Sequence, residues 1–133
     1  MSHIEQKLFE MAKAVRKNAF APISKFQVGA AVYTKNGNFY AGCNVESATM
    51  TQTTHAEMNA IDTAVAAGDK EITKILIITH SKSPAFPCAL CRQKIAEFSR
   101  NATVIATTSS GKSKTSTIKK LYPESFLLKN ISK

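Results

Sequence analysis

Thr54-His55-Ala56-Glu57 and Pro87-Cys88-Ala89-Leu90-Cys91 are the two stretches whose reading decides the fold and chemistry of this 133-residue chain. Together they supply one imidazole, two thiols and a carboxylate, with a proline fixing the approach to the second. Each reads as the first turn of a helix. Thr54 can cap backbone N–H groups while Glu57, three residues on, reaches back, as in a capping box. Cys88 and Cys91 stand three residues apart and share a helix face. One borderline nitrogen and two soft sulfurs suit Zn²⁺, and three protein ligands rather than four leave a coordination position open for water. A helix N-terminus also favours negative charge, which makes the two thiols easier to ionise. Glu57 lies two residues from His55, close to such a metal without being its obvious ligand.

Working outward, the first of these helices runs to about Ala67, with Ala60, Ile61, Ala64 and Val65 on its buried side and Gly68 as the C′ stop. Residues 73–79 hold a continuous apolar run at 75–78, which suits a central strand covered on both faces. A polar, proline-punctuated loop over 81–86 leads into the second helix, 88–99, and 102–107 is the next strand. Ser109-Ser110-Gly111 then turns the chain into an edge strand over 114–118. That turn is too short for a parallel crossover, so the last two strands should be antiparallel.

On the N-terminal side, Ser2 and Glu5 offer a capping box. Ile4, Leu8, Met11, Ala12 and Val15 follow at helical spacing, so 3–17 reads as an amphipathic helix, and Pro22 ends any continuation. Phe26, Val28 and Ala30 to Tyr33 read as a strand and 39–45 as its partner, with Asn36-Gly37 as the hairpin signal between them. Residues 46–53 are a loop. Leu121-Tyr122-Pro123 opens a short terminal segment through Phe126, and 129–133 is expected to fray. The order α-β-β-α-β-α-β-β, with no repeat and no linker, predicts an α/β fold: one domain over 1–133 with a mixed five-stranded sheet and helices packed on it.

Composition sets the bounds. The length suits one core, and no apolar run approaches a membrane span. The early Glu5 and Lys7 leave no room for a signal-peptide apolar region. Three cysteines, two of them in the metal motif, fit a reducing cytoplasm better than a disulfide framework. The net charge of +9 raises the question of a nucleic-acid surface. The basic residues are scattered, however. The nearest cluster, Lys112, Lys114, Lys119 and Lys120, lacks the interleaved aromatics of single-strand binders. The charge reads as a solvated surface, with neither nucleic acid nor membrane as a partner. Cys43 reads as a buried small hydrophobe rather than a ligand.

From Ser24 to about Phe126 the sequence resembles the small zinc-dependent cytidine deaminases that act on free nucleosides. Ser24-Lys25-Phe26-Gln27-Val28-Gly29-Ala30-Ala31 looks like that family's first strand, and Gly42-Cys43-Asn44-Val45-Glu46 like its ribose-binding segment. Pro87-Cys88-Ala89-Leu90-Cys91-Arg92-Gln93 resembles its second metal helix. The spaced His-x-Glu and Pro-Cys-x-x-Cys pair is itself a known signature of zinc deaminases. The resemblance implies a three-layer α-β-α deaminase fold, one catalytic Zn²⁺ per chain held by His55, Cys88 and Cys91, and usually a homotetramer, with a homodimer as the other option. It also implies site roles. Phe26 packs against the nucleoside, Asn44 and Glu46 hold the ribose hydroxyl, and the Ala56 backbone N–H meets the base carbonyl. Phe86 stands where the family has a small polar residue whose backbone carbonyl faces the leaving amine. Ile23 and Met50 stand where Tyr is frequent, and Ala89 replaces a common Gly.

The reaction so implied is hydrolytic deamination of cytidine and deoxycytidine to uridine and deoxyuridine, with ammonia released, in pyrimidine salvage. Glu57 is the residue that takes a proton from water, delivers it to N3 and assists loss of ammonia. Two alternatives stand beside it: a deaminase for another cytosine-bearing compound such as a nucleoside antibiotic, or a non-catalytic zinc module with Cys43 as a fourth ligand. An inert site would have no use for Glu57.

Overall fold

The computed structural model describes residues 1–131. Five strands form one mixed sheet in the order β2-β1-β3-β4-β5: β1 Gly29–Thr34, β2 Phe39–Cys43, β3 Ile72–Thr79, β4 Thr103–Thr108 and β5 Ser113–Thr117. β3 and β4 are parallel, while β1–β2, β1–β3 and β4–β5 are antiparallel, the last as the short Ser109-Ser110-Gly111 turn requires. The helices are α1 His3–Arg16, α2 Ala56–Ala66, α3 Ala89–Glu97 and the short α4 Ile118–Leu121.

Period-two alternation in the strands divides the apolar residues between two cores. Ala31, Leu76, Ile78 and Ile105 point to one face and pack with Leu8 and Ala12 of α1. Ala30, Val32, Ile75, Ile77 and Val104 point to the other and pack with Ala60, Ile61 and Ala64 of α2 and Ile95 of α3. The result is three layers, α-β-α, with the run at 75–78 filling both faces as expected of a central strand.

The helices lie very close to the sheet. A Cβ added at Gly42 would come within 2.4 Å of the Ala60 backbone nitrogen, so only glycine lets α2 settle on β2 at this depth. The C-terminal stop of α2 is Gly68, with φ of +88°, a conformation open to glycine at no steric cost.

Several local expectations need correction. Ser2 accepts from the Glu5 N–H, but the Glu5 carboxylate turns to Lys74 instead of back to Ser2, so only half the capping box forms. Phe26 and Val28 precede β1 rather than belonging to it, because the Asn44 side chain takes their backbone groups. Asn44 and Val45 leave β2, and Val45 instead makes isolated bridges to Phe20 and Thr54. Of the segment 129–133 expected to fray, Lys129 and Asn130 belong to the 3₁₀ turn Leu128–Asn130, and residues 132–133 lie outside the described residues.

The β1–β2 turn is tied down by a buried acid. Asp69 accepts from Thr34 Oγ1 at 2.6 Å, Asn38 Nδ2 at 2.9 Å, Asn36 Nδ2 at 3.0 Å and Tyr40 Oη at 3.3 Å. The Thr34 hydroxyl, ahead of the two amides and against the opposing effect of burial, holds the Asp69 carboxyl below its ordinary 3.8. A depressed carboxyl contributes stability above that ordinary value and loses it as pH falls through the folded one. Urea midpoints measured from pH 6 down to pH 3 should therefore fall less steeply for Asp69→Asn than for the parent, with Asp69→Asn the weaker protein at pH 6.

Candidate active site and metal centre

The two motif stretches meet because α2 and α3 lie on the same face of the sheet with their N-termini converging. His55 occupies the N-cap position of α2 and Cys88 that of α3, and Cys91 lies in the first turn of α3. Neither cap position makes a side-chain cap bond. The Thr54–Glu57 capping box is absent. The Thr54 backbone pairs with Val45, with N···O distances of 2.8 and 2.9 Å, and this extended pairing leaves Thr54 one residue short of the helix. His55 is thereby freed to face α3, and Glu57 to turn inward.

His55 Nδ1 lies 3.3 Å from Cys91 Sγ and 3.3 Å from Cys88 Sγ. The three ligand atoms all fall within 4.8 Å of one another, the sole such cluster of three or more among the described residues. Zinc bonds of ordinary length in a tetrahedron would place nitrogen and sulfur about 3.6 Å apart, so the spacing fits. The donor chemistry fits too. Contrary to the easier ionisation expected at a helix N-terminus, burial, then the neighbouring Glu57 and Cys88 charges, push the Cys91 thiol far up, so holding it as a thiolate here requires a cation between the two sulfurs. The His55, Cys88 and Cys91 cluster fits a zinc site. Cys43 is not in the cluster, so it does not close a fourth ligand position.

Beside the cluster is a cavity of about 330 Å³ lined by Ser24, Phe26, Val28, Asn44, Glu46, His55, Ala56, Glu57, Phe86 and Cys88, with Thr53, Ile77, Thr79, Ala85 and Pro87 completing the wall. Of the residues to which the sequence resemblance assigns a site role, all but Cys91 line it, and Cys91 is fully buried within the ligand cluster. Glu57 is 6 % exposed. Burial raises its carboxyl above the ordinary carboxylate range, while its own backbone N–H, the His55 charge and Cys91 oppose the rise. Ala56 opens α2, and first-turn N–H groups have no partner within their own helix.

The part of the wall that holds Phe26, Asn44 and Glu46 is assembled from two loops. Asn44 Oδ1 accepts from the Val28 N–H at 2.9 Å, and Asn44 Nδ2 donates to the Phe26 carbonyl at 2.8 Å. Phe26 packs against His80, ring centroids 5.0 Å apart. The hydroxyl of Ser24 comes first among the influences that hold Glu46 low, against burial and ahead of the Ser24 and Ile23 backbone N–H groups and Lys25. Asn44→Ala should destabilise the fold by about 1–3 kcal/mol, since it strips partners from two backbone groups, and urea unfolding measures this. Metal content should not change.

Ser24, Thr53 and Thr79 are wall residues that sequence reasoning did not single out. Ser24 lay within the motif quoted for the first strand, but nothing local marks it. Arg92 also acts here: its Nε donates to the Pro87 carbonyl at 2.7 Å and its Nη1 to the Leu121 carbonyl at 2.8 Å, bracing the turn that delivers Cys88.

Comparison with known proteins agrees with this geometry. A family model described as "Cytidine and deoxycytidylate deaminase zinc-binding region" matches residues 2–107. The cytidine deaminase of Sporosarcina psychrophila is 35% identical over 128 residues, 96% of this chain and 94% of that protein. That of Halalkalibacterium halodurans is 38% identical over 92 residues, 69% of this chain and 70% of that one. Among solved structures, cytidine deaminase from Burkholderia pseudomallei superposes with a TM-score of 0.88 at 36% identity, covering 95% of this chain and all of the other.

Proposed function

This chain belongs to the cytidine and deoxycytidylate deaminase zinc-binding family, and on that premise we propose that it hydrolyses the amine of cytidine and deoxycytidine. Water adds at C4 of the base and ammonia leaves, giving uridine or deoxyuridine. The observation that carries this reading is the placement of a buried Glu57 beside the His55, Cys88 and Cys91 cluster, on the wall of a cavity whose other side holds Phe26, Asn44 and Glu46. When bound, zinc supplies Lewis-acid activation of water near neutral pH. Glu57 accepts the proton of the attacking water, delivers it to N3 and then assists protonation of the leaving amine. The Ala56 N–H meets the base carbonyl, Phe26 covers the base and sugar, and Asn44 and Glu46 hold the ribose hydroxyl. The Phe86 carbonyl faces the leaving amine, and its ring, half-buried against the α2–α3 core, narrows the mouth.

The described residues are read as one deaminase domain. No helix among them is long and apolar enough to cross a membrane. The assembly in this reading is a homotetramer, which the exposed Phe20, Ile23, Val45, Met50 and Leu90 support, since apolar side chains left in water are what an interface covers. The reading places the enzyme in the cytoplasm, in pyrimidine salvage. Incubating the purified protein with cytidine and, separately, with a cytosine-containing oligonucleotide tests the substrate class. Ammonia should appear with cytidine only; release from the oligonucleotide alone would refute the nucleoside reading.

A further inference from the structure

Two segments far apart in sequence, 20–26 and 44–46, are laced together at the rim of the cavity. The Phe20 N–H donates to the Asn44 carbonyl at 2.9 Å and the Glu46 N–H to the Phe20 carbonyl at 2.8 Å. On that base sits a side-chain chain of bonds. Glu46 Oε1 accepts from the Ile23 N–H at 2.8 Å and the Ser24 N–H at 3.1 Å, while Oε2 accepts from the Ser24 hydroxyl. Ser24 Oγ in turn accepts from the Phe26 N–H at 3.0 Å.

The turn that makes this possible is strained. Its N–H bonded to the Ala21 carbonyl at 3.0 Å, Lys25 lies between Ser24 and Phe26 at φ of +59°, in the left-handed region. A residue with a Cβ is disfavoured there, and such conformers persist where surrounding bonds fix them, often at functional sites. Here the fixing bonds are those to Glu46.

We propose that Ser24 is a positioning residue which holds Glu46 and Phe26 in one relay, and so sets how strongly the cavity prefers a sugar that carries its 2′ and 3′ hydroxyls. The proposal rests on the nucleoside reading above. Glu46 Oε1 is taken by two backbone donors, which leaves Oε2 as the oxygen with capacity for a sugar hydroxyl. The Ser24 hydroxyl keeps that oxygen aimed. The same hydroxyl fixes the backbone from which the Phe26 ring projects. Sugar and base ends of the cavity are therefore set by one side chain. Ser24 is exposed, so water replaces its bonds when it is removed, and its loss should register in ligand preference more than in folding.

Calorimetric titration of the zinc-loaded protein with uridine and with 2′,3′-dideoxyuridine tests the relay in the parent, Ser24→Ala and Ser24→Thr. The parent should bind uridine the more tightly. Ser24→Ala should lose on the order of ten-fold of that preference, the scale of one well-placed hydrogen bond, and Ser24→Thr, which restores the hydroxyl, should keep it. Full preference in Ser24→Ala, equal loss in both variants, or no preference in the parent would overturn the relay. Ammonia release from cytidine by the parent is read separately. A parent that shows the binding pattern but releases no ammonia refutes the activity and leaves the relay standing, one that binds neither ligand but releases ammonia overturns the relay alone, and one that does neither overturns both.

Discussion

Glu57→Gln should keep its zinc and lose at least ~10²-fold in kcat on cytidine, the usual scale of general acid–base catalysis. Gln matches Glu in size, and because the capping box does not form, α2 begins from His55 without Glu57, so the variant gives up only the carboxylate's contacts with its own backbone N–H and Cys91. Melting temperature should therefore change little, and metal analysis should find one zinc per chain in parent and variant alike. What Gln cannot do is take a proton at one atom and return it at another. The effect should fall on kcat and kcat/KM together, because the lost interaction belongs to the transition state rather than to substrate binding. A Glu57→Gln protein that turns over cytidine at the parental rate with zinc in place would remove Glu57 from the chemistry. A variant that loses zinc would make it part of the ligand shell instead.

The parts of this molecule that could be read from the sequence are those whose information is local. The run at 75–78, the Asn36-Gly37 hairpin and the Gly68 stop each specify structure within a few residues, and each appears where expected. The grouping of His55, Cys88 and Cys91 was legible in part, since each stretch marks a helix start, although only the three-layer fold brings the three side chains together. The failures share a physical cause in competition from a distant partner. Thr54 has good capping chemistry, yet its backbone is claimed by Val45. Phe26 and Val28 have strand-like alternation, yet their backbone groups are claimed by the side chain of Asn44, sixteen to eighteen positions away. The Glu5 carboxylate is claimed by Lys74. The Ser24–Glu46 relay is the extreme case, because it exists only once Lys25 adopts a left-handed conformation that nothing in its own chemistry favours.

Removing either sulfur should abolish zinc binding, and comparing the two separates the metal's role from that of the core. Cys91 is fully buried, whereas Cys88 is exposed. Cys91→Ala opens a small void at the convergence of α2 and α3 and deletes a ligand, so it should lose both zinc and some thermal stability. Cys88→Ala deletes a ligand at a surface cap position and should lose zinc with less direct cost to packing. A metal ion at such a site is worth several kcal/mol of transition-state stabilisation, so both variants should fall on the order of 10³-fold or more in kcat/KM. Chelation of the parent should reproduce that loss, and added zinc should reverse it in the parent but not in either variant. The zinc-free parent also leaves a buried Cys91 beside Glu57 with no cation to offset charge, so it should melt below the zinc-loaded protein. If Cys88→Ala retained stoichiometric zinc and parental turnover, the ligand set would be wrong, because His55 and Cys91 alone cannot hold the ion against solvent as three ligands do.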